Sequence, residues 1–143
     1  MPIAYRIDHE KKIVLARGYG AFTEANIFGY QREVWSRPEV AGYDELVDMT
    51  EVTSIVSPSA ERIEDLARVA SEMDWHSSPS RFAIVAPGDL AFGLGRMLQS
   101  FREAQEGSTK RVGVFRTLKE ALAFLTLAEA PELPPLPPED RST

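Results

Sequence analysis

Short apolar runs alternate with amphipathic stretches along most of this chain, and the alternation predicts a sheet covered by helices. Residues 4–7 and 13–17 flank a short polar segment, which predicts two strands joined in an antiparallel hairpin. Three further apolar runs, at 45–49, 81–86 and 111–116, have the length and composition of strands in an α/β sheet.

Helical spacing of apolar residues fills the segments between these strands. Thr23 is a candidate cap for a helix over residues 24–36, and a second helix is predicted to begin near Ser57 with Pro58 at its first position. Asp89 is the expected cap of a third helix, and Thr117 opens a fourth with a capping box. The predicted inward residues are Ile63, Leu66, Ala67, Ala70 and Met73 on the second helix, and Leu90, Leu94, Met97, Leu98 and Phe101 on the third.

The resulting order, ββαβαβαβα, is typical of an α/β fold. It predicts a mixed, mostly parallel sheet of four to five strands, with an N-terminal antiparallel hairpin and four helices. We expect one folded domain over residues 1–128 and a flexible tail rich in proline and glutamate over residues 129–143. The tail also has the composition of a polyproline II ligand, but a solvated tail is the favoured interpretation.

Composition narrows the functional classes. The 143 residues carry a net charge of −6, which argues against nucleic-acid binding. No apolar run approaches the roughly 18 residues of a membrane span, and no signal peptide is visible, so we expect a cytoplasmic protein. With no cysteine and with two widely separated histidines, His9 and His76, neither a metal site, a cofactor nor a nucleophile–histidine pair is expected. The sequence therefore favours a protein that is not an enzyme.

The polar segment after the third predicted strand carries the clearest candidate chemistry. Residues Thr50–Ser59 are expected to form a loop that delivers Ser57 to the start of a helix, where a phosphate would be stabilised. Helix capping is the commoner role of a serine in this place and is the default interpretation. Asp48 is predicted to lie at the carboxyl end of a central strand, where it either contacts a ligand or fixes the turn through hydrogen bonds to loop amides.

The start of the third predicted helix is a second candidate site. Gly93 and Gly95 fall inside the helical pattern, which indicates close approach of either another helix or a ligand. The groups that would face such a ligand include Gly88, Asp89 and Arg96. Phe92 is off the predicted inward stripe and is a candidate for a surface patch, on which a homodimer would form.

Three segments resemble the STAS family, the domain of anti-sigma-factor antagonists and of sulphate-transporter tails. Val47-Asp48-Met49-Thr50 stands where members carry an aliphatic-Asp-aliphatic-Ser/Thr segment, and residues 81–87 and 112–122 resemble the later strands and the final helix. The resemblance covers roughly residues 4–126. It implies a SpoIIAA-like fold of the kind found in small stand-alone bacterial proteins.

The same resemblance places Ser57 at the phosphoacceptor position, in a degraded motif. Val56 stands where regulated members carry aspartate, and Pro58 and Ser59 replace the hydroxyl residue and the glycine that follow. The leading hypothesis is a non-enzymatic regulatory module that binds a protein partner through Thr50–Ser59 and the second helix, with Ser57 as its switch. The residues expected to contact a partner or ligand are Asp48, Thr50, Ser59, Gly88, Asp89, Phe92 and Arg96.

The alternative hypothesis is a small apolar-ligand or lipid-binding protein. The STAS-type fold resembles part of the lipid-carrying CRAL-TRIO domains. Phe92, Gly93 and Gly95 would then line a cavity between the third helix and the sheet.

Overall fold

The computed structural model describes residues 2–56, 58–74, 79–105 and 108–136, and it contains five strands and four α-helices over these ranges. The strands are β1 (Ile3–Asp8), β2 (Ile13–Phe22), β3 (Asp44–Ile55), β4 (Ser80–Val85) and β5 (Lys110–Phe115). The α-helices are α1 (Glu24–Tyr30), α2 (Ala60–Asp74), α3 (Asp89–Ala104) and α4 (Leu118–Phe124). A π-helix (Gln31–Trp35) continues α1, and a short 3₁₀ helix (Pro38–Val40) precedes β3.

The strands lie side by side in chain order, β1-β2-β3-β4-β5. β1 and β2 pair antiparallel, and every later pair is parallel. Right-handed crossovers that always move in one direction place their helices on one face of the sheet, so α1, α2 and α3 share a face. The predicted mixed sheet, N-terminal hairpin and four helices are confirmed.

The side chains of each strand alternate between two apolar layers. The layer beneath α1, α2 and α3 includes Val14, Ala16, Val47, Phe82, Ile84, Val112 and Val114. The layer on the opposite face, covered by α4, includes Ile13, Leu15, Leu46, Ala83, Val85, Ala121 and Leu125. This period of two fixes which residues of a strand can face which helices.

β3 continues well beyond its predicted end, so the expectation of a polar loop from Thr50 is wrong. Residues Thr50–Ile55 are strand and pair with the second half of β2, from Tyr19↔Glu51 to Phe22↔Ile55. The glycines of β2 permit this extension, although glycines in a sequence usually indicate the end of a strand. A Cβ on Gly18 would lie 3.0 Å from the Met49 Sδ, and Gly20 adopts a φ of +63° at a register shift, which favours glycine.

The second helix begins at Ala60 rather than near Ser57, and Ser59 occupies its N-cap position. The Ser59 hydroxyl accepts a hydrogen bond from the Arg62 N–H at 3.2 Å, and its carbonyl accepts one from the Ile63 N–H at 3.1 Å. Ser57 itself lies outside the described residues. The capping role proposed for Ser57 is therefore taken in the structure by Ser59.

The third helix keeps Leu94 and Leu98 of the predicted inward stripe but is rotated relative to the rest of the prediction. Gly88 occupies the cap position and Asp89 is the first helical residue, while Leu90 and Met97 are 49% and 38% exposed rather than inward. The buried positions are Gly95 and Arg102, on a stripe with Ala91 and Leu98. A Cβ on Gly95 would lie only 3.0 Å from Val114 Cγ1, so this glycine lets the helix lie close to the sheet.

Part of the predicted tail lies against the opposite face of the sheet. Leu133 packs with the layer beneath α4, and the Arg6 guanidinium donates two hydrogen bonds, of 2.7 and 3.0 Å, to the Glu132 carbonyl. Residues 131–136 are thus docked on β1 and β2, which differs from a flexible tail. The remainder, residues 137–143, lies outside the described residues.

Among the residues that the structure describes, no helix has the length and apolar character that crossing a bilayer requires.

Candidate functional site

A cavity of about 120 Å³ lies between the sheet and the three helices that share its face. Its apolar wall is formed by the sheet residues Ile3, Val47, Met49, Phe82 and Ile84, by Ile27 of α1, by Ile63, Leu66 and Ala70 of α2, and by Ala91, Leu94, Gly95 and Leu98 of α3. An engineered apolar cavity of about 150 Å³ accommodates benzene. The space is therefore close to that needed by one six-membered ring or a short aliphatic chain.

One end of the cavity is closed by a buried ion pair at the amino ends of β3 and β5. The Lys110 Nζ lies 3.3 Å from the Glu45 Oε1, and the two side chains are only 4% and 5% exposed. The ammonium also lies over the Trp35 ring, 3.0 Å from its centroid. A cation and a carboxylate thus meet in a mainly apolar layer.

Two further donors complete the environment of the Glu45 carboxylate. The Tyr30 hydroxyl donates to the Glu45 Oε2 at 2.6 Å, and the Trp35 Nε1–H donates to the same oxygen at 3.0 Å. Burial and the adjacent Glu45 carboxylate raise the pKa of Tyr30 well above its usual value of 10.0. Tyr30 therefore stays protonated and acts as a hydrogen-bond donor throughout the neutral range.

Gln31, the first residue of the π-helix, lines the cavity beside this cluster and is only 9% exposed. Its Nε2 donates to the Leu66 carbonyl of α2 at 3.3 Å. Because a carbonyl only accepts hydrogen bonds, this contact fixes which way the amide is oriented. The Gln31 Oε1 is buried, and within the described part of the chain it has no hydrogen-bond partner.

The other end of the cavity reaches the protein surface beyond the carboxyl ends of β2 and β3. Phe22, Val56 and Pro58 line it there, and Val56 is 66% exposed. Glu24 of α1 also lines this end and forms an ion pair with Arg62 of α2 at 3.1 Å.

Asp48 and Thr50 lie away from the cavity. Asp48 does not end a strand, because β3 continues to Ile55, and its position two residues after Leu46 places it on the α4 face of the sheet. The Asp48 carboxylate accepts hydrogen bonds from the backbone N–H and the hydroxyl of Thr50. These contacts fit the local structural role that was the alternative to ligand binding.

A separate cluster forms at the start of α3 around Arg116. The Arg116 guanidinium donates to the Asp89 carboxylate at 2.7 Å and to the Pro87 carbonyl at 3.0 Å, and it lies 4.0 Å from the centre of the Phe92 ring. Phe92 is therefore half-buried under an arginine rather than part of an open patch. The exposed Arg96 lies one turn further along α3.

The structure does not bring the sequence-predicted site residues together. They fall at the N-cap of α2 (Ser59), on β3 (Asp48 and Thr50), and at the N-cap and along the first two turns of α3 (Gly88, Asp89, Phe92 and Arg96), and none of the described ones lines the cavity. Of the two helical glycines, Gly95 lines the cavity, whereas a Cβ on Gly93 would meet nothing within 4 Å. Close packing thus explains Gly95 but not Gly93.

Sequence reasoning missed the buried polar residues that line the cavity: Gln31, Glu45, Arg102 and Lys110. A signal for one of them was present. Glu45 alternates with Val47 and Met49, so its side chain shares their face of the strand.

In the described part of the chain, no group of three or more His, Asp or Glu side chains is arranged to hold a metal ion.

The N-terminal hairpin, the sequential parallel sheet and the three helices on one face define a SpoIIAA-like fold. A solved structure of an uncharacterized DUF3478-family protein from Shewanella loihica PV-4, which has a SpoIIAA-like fold, matches this chain with a TM-score of 0.52 at 20% sequence identity. The match covers 86% of this chain and 93% of that chain. At this identity the likeness shows the fold alone. No family model and no curated protein sequence matches the chain.

Proposed function

We propose that this protein binds a small, mainly apolar molecule in the cavity between its sheet and α1, α2 and α3. The observation that carries the proposal is an apolar space of about 120 Å³ whose wall reaches the surface at Val56, which is 66% exposed. Native cores contain few voids larger than a water molecule, because empty space forfeits dispersion contacts. A void of this size inside a small domain is therefore better explained as a binding site than as a packing defect.

The proposal is for binding without chemical conversion. Both oxygens of Glu45 already accept hydrogen bonds, from Lys110 on one side and from Tyr30 and Trp35 on the other. A carboxylate held by three donors is a poor general base, and a tyrosine whose pKa is raised well above 10.0 is a poor general acid. We expect a bound molecule to be recovered unchanged.

Titration with toluene tests this proposal, monitored by two-dimensional ¹H–¹⁵N NMR. We expect saturable shifts confined to cavity residues. Enlarging a wall residue should weaken binding, so A70L and A91L should raise the Kd at least about 10-fold by filling the space. The matched control is A123L, an exposed position on α4, which should leave the Kd unchanged. No saturable shift in the wild-type protein, either with toluene or with its hydroxyl analogue phenol, would overturn the proposal.

Native mass spectrometry of the protein purified gently from its own host identifies the natural occupant. A small-molecule mass that is lost on denaturation is the expected result. A covalent phosphate retained after denaturation would instead support the regulatory hypothesis for Ser57.

A protein-interaction role is the second candidate, favoured by the exposed residues on both sides of Ser57. Val56 is 66% exposed, and Ser59 at the N-cap of α2 is also exposed. If Ser57 is a switch, S57A and S57E should differ in binding to a partner recovered by pull-down, and equal binding would refute it. The cytoplasmic location and the homodimer stay predictions, to be checked by cell fractionation and by light scattering.

A further inference from the structure

The polar end of the cavity constrains the chemistry of the occupant, in an inference that rests on the proposed function. Glu45, Tyr30 and Trp35 satisfy one another: the hydroxyl and the indole N–H both donate to the carboxylate, and the indole N–H also lies 3.2 Å from the hydroxyl. This cluster is already a closed hydrogen-bonded group. It therefore forms part of the cavity wall and offers no free hydrogen-bonding group to a ligand.

Gln31 differs from that cluster because one of its two polar atoms has no partner in the described structure. Its Nε2 is held by the Leu66 carbonyl, which leaves the Oε1 buried at the cavity wall. Burying an amide oxygen without a hydrogen bond is unfavourable, and a ligand with a donor at this point removes that cost. The Gln31 Oε1 accepts hydrogen bonds and cannot donate them.

We infer that the cavity takes an uncharged amphipathic molecule whose ring or short chain packs against the apolar wall and whose hydroxyl or N–H group donates to the Gln31 Oε1. An ionised carboxylate has no proton to donate. The predicted class is therefore small phenols, alcohols and amides, and not carboxylate anions.

Phenol and toluene form a matched pair of probes, because they have nearly the same size and differ by a hydroxyl group in place of a methyl group. In the wild-type protein, phenol should bind about 2- to 10-fold more tightly than toluene, which is the range of one neutral hydrogen bond. Benzoate, an anion of similar size at neutral pH, should bind no more tightly than toluene. Each Kd is measured by the same NMR titration.

The variant that isolates the contact is Q31M, which keeps the length of the side chain and removes its amide. Phenol and toluene should then bind equally. The matched control is Q99M on α3: the Gln99 Oε1 is likewise buried without a partner in the described residues, but it does not line the cavity. This control should retain the preference for phenol.

The outcomes separate the inference from the proposed function. Equal binding of phenol and toluene by the wild-type protein, tighter binding of benzoate, or a phenol preference that survives in Q31M would overturn the inference and leave the cavity proposal intact. Binding of neither phenol nor toluene would overturn both. If Q31M fails to fold, cyclohexanol and methylcyclohexane give the same comparison on the unaltered protein, with tighter binding of cyclohexanol expected and equal binding overturning the inference.

Discussion

The buried Glu45–Lys110 pair gives the sharpest prediction for stability. Its two side chains are 5% and 4% exposed, so either charge left alone would be buried without its partner. Removing one member of a buried ion pair costs about 3–5 kcal/mol, whereas replacing both is often close to neutral. We therefore expect E45Q and K110M each to lower the free energy of unfolding by about 3–5 kcal/mol.

The double variant should lose less stability than the sum of the losses in the two single variants. In E45Q/K110M no charge of the pair is left buried, and the glutamine carbonyl still accepts hydrogen bonds from Tyr30 and Trp35. The coupling between contacting residues is typically about 0.5–3 kcal/mol, and here we expect at least about 1 kcal/mol.

Urea unfolding measures these effects. With a slope of about 2 kcal/mol/M, each single variant should lower the midpoint by about 1.5–2.5 M urea. The exposed pair between Arg116 and Asp89 is the control, because its atoms are closer, at 2.7 Å, but its side chains are 44% and 96% exposed. D89N should cost less than about 1 kcal/mol. If E45Q costs no more than D89N, or if the two buried substitutions are strictly additive, burial does not govern this pair and the reasoning is refuted.

Three further predictions concern separate parts of the domain. Because the folded-state pKa of Tyr30 is raised, the stability that it contributes is fully present below about pH 10 and is lost as the pH rises above that value. Urea unfolding should therefore show that Y30F loses less stability than the wild-type protein between about pH 9 and 11. Equal losses in the two proteins would contradict this. In thermal unfolding, G93A should stabilise the protein by about 0.5–1 kcal/mol. G95A should gain less stability or lose some, because its Cβ would lie 3.0 Å from a Val114 methyl group. Equal gains in the two variants would show that this close approach has no cost. L133A should lower the free energy of unfolding in urea by about 1–2 kcal/mol. E132A should lower it by almost nothing, because the contact with Arg6 is made by the backbone carbonyl of this residue. An unchanged stability in L133A would mean that the docked segment contributes none.

The strands and helices of this fold were largely predictable, because their apolar residues repeat with the right period. The extension of β3 was not, since Glu51, Thr53 and Ser54 have the composition of a loop. Backbone pairing with β2 holds this segment, and the N–H and C=O groups that make such pairing are present whatever the side chain is. The rotation of α3 was missed for a similar reason: Gly95 carries no side chain to mark the inward face, although it is the residue that fits against Val114.

The candidate site was harder to predict because its polar residues are distant in sequence. Glu45 and Lys110 are 65 positions apart and meet only through the order of β3, β4 and β5 in the sheet. The resemblance to the STAS family drew attention instead to Asp48 and Ser57. Of these, Asp48 is on the opposite face of the sheet and Ser57 lies outside the described residues. A family motif pointed to one surface, whereas the cavity depends on tertiary packing.

The sequential order of the strands has a consequence for synthesis on the ribosome. Each new strand pairs with the one just made, so the face with α1, α2 and α3 is covered step by step as the chain emerges. The opposite face has to wait for α4 and residues 131–136, which supply its cover last. A nascent chain that pauses after β5 would expose an apolar sheet surface made of Ile13, Leu15, Leu46, Ala83 and Val85. At about 5–20 residues per second that exposure lasts only a few seconds, and a pause at this point would make the unfinished protein a target for chaperones and for aggregation.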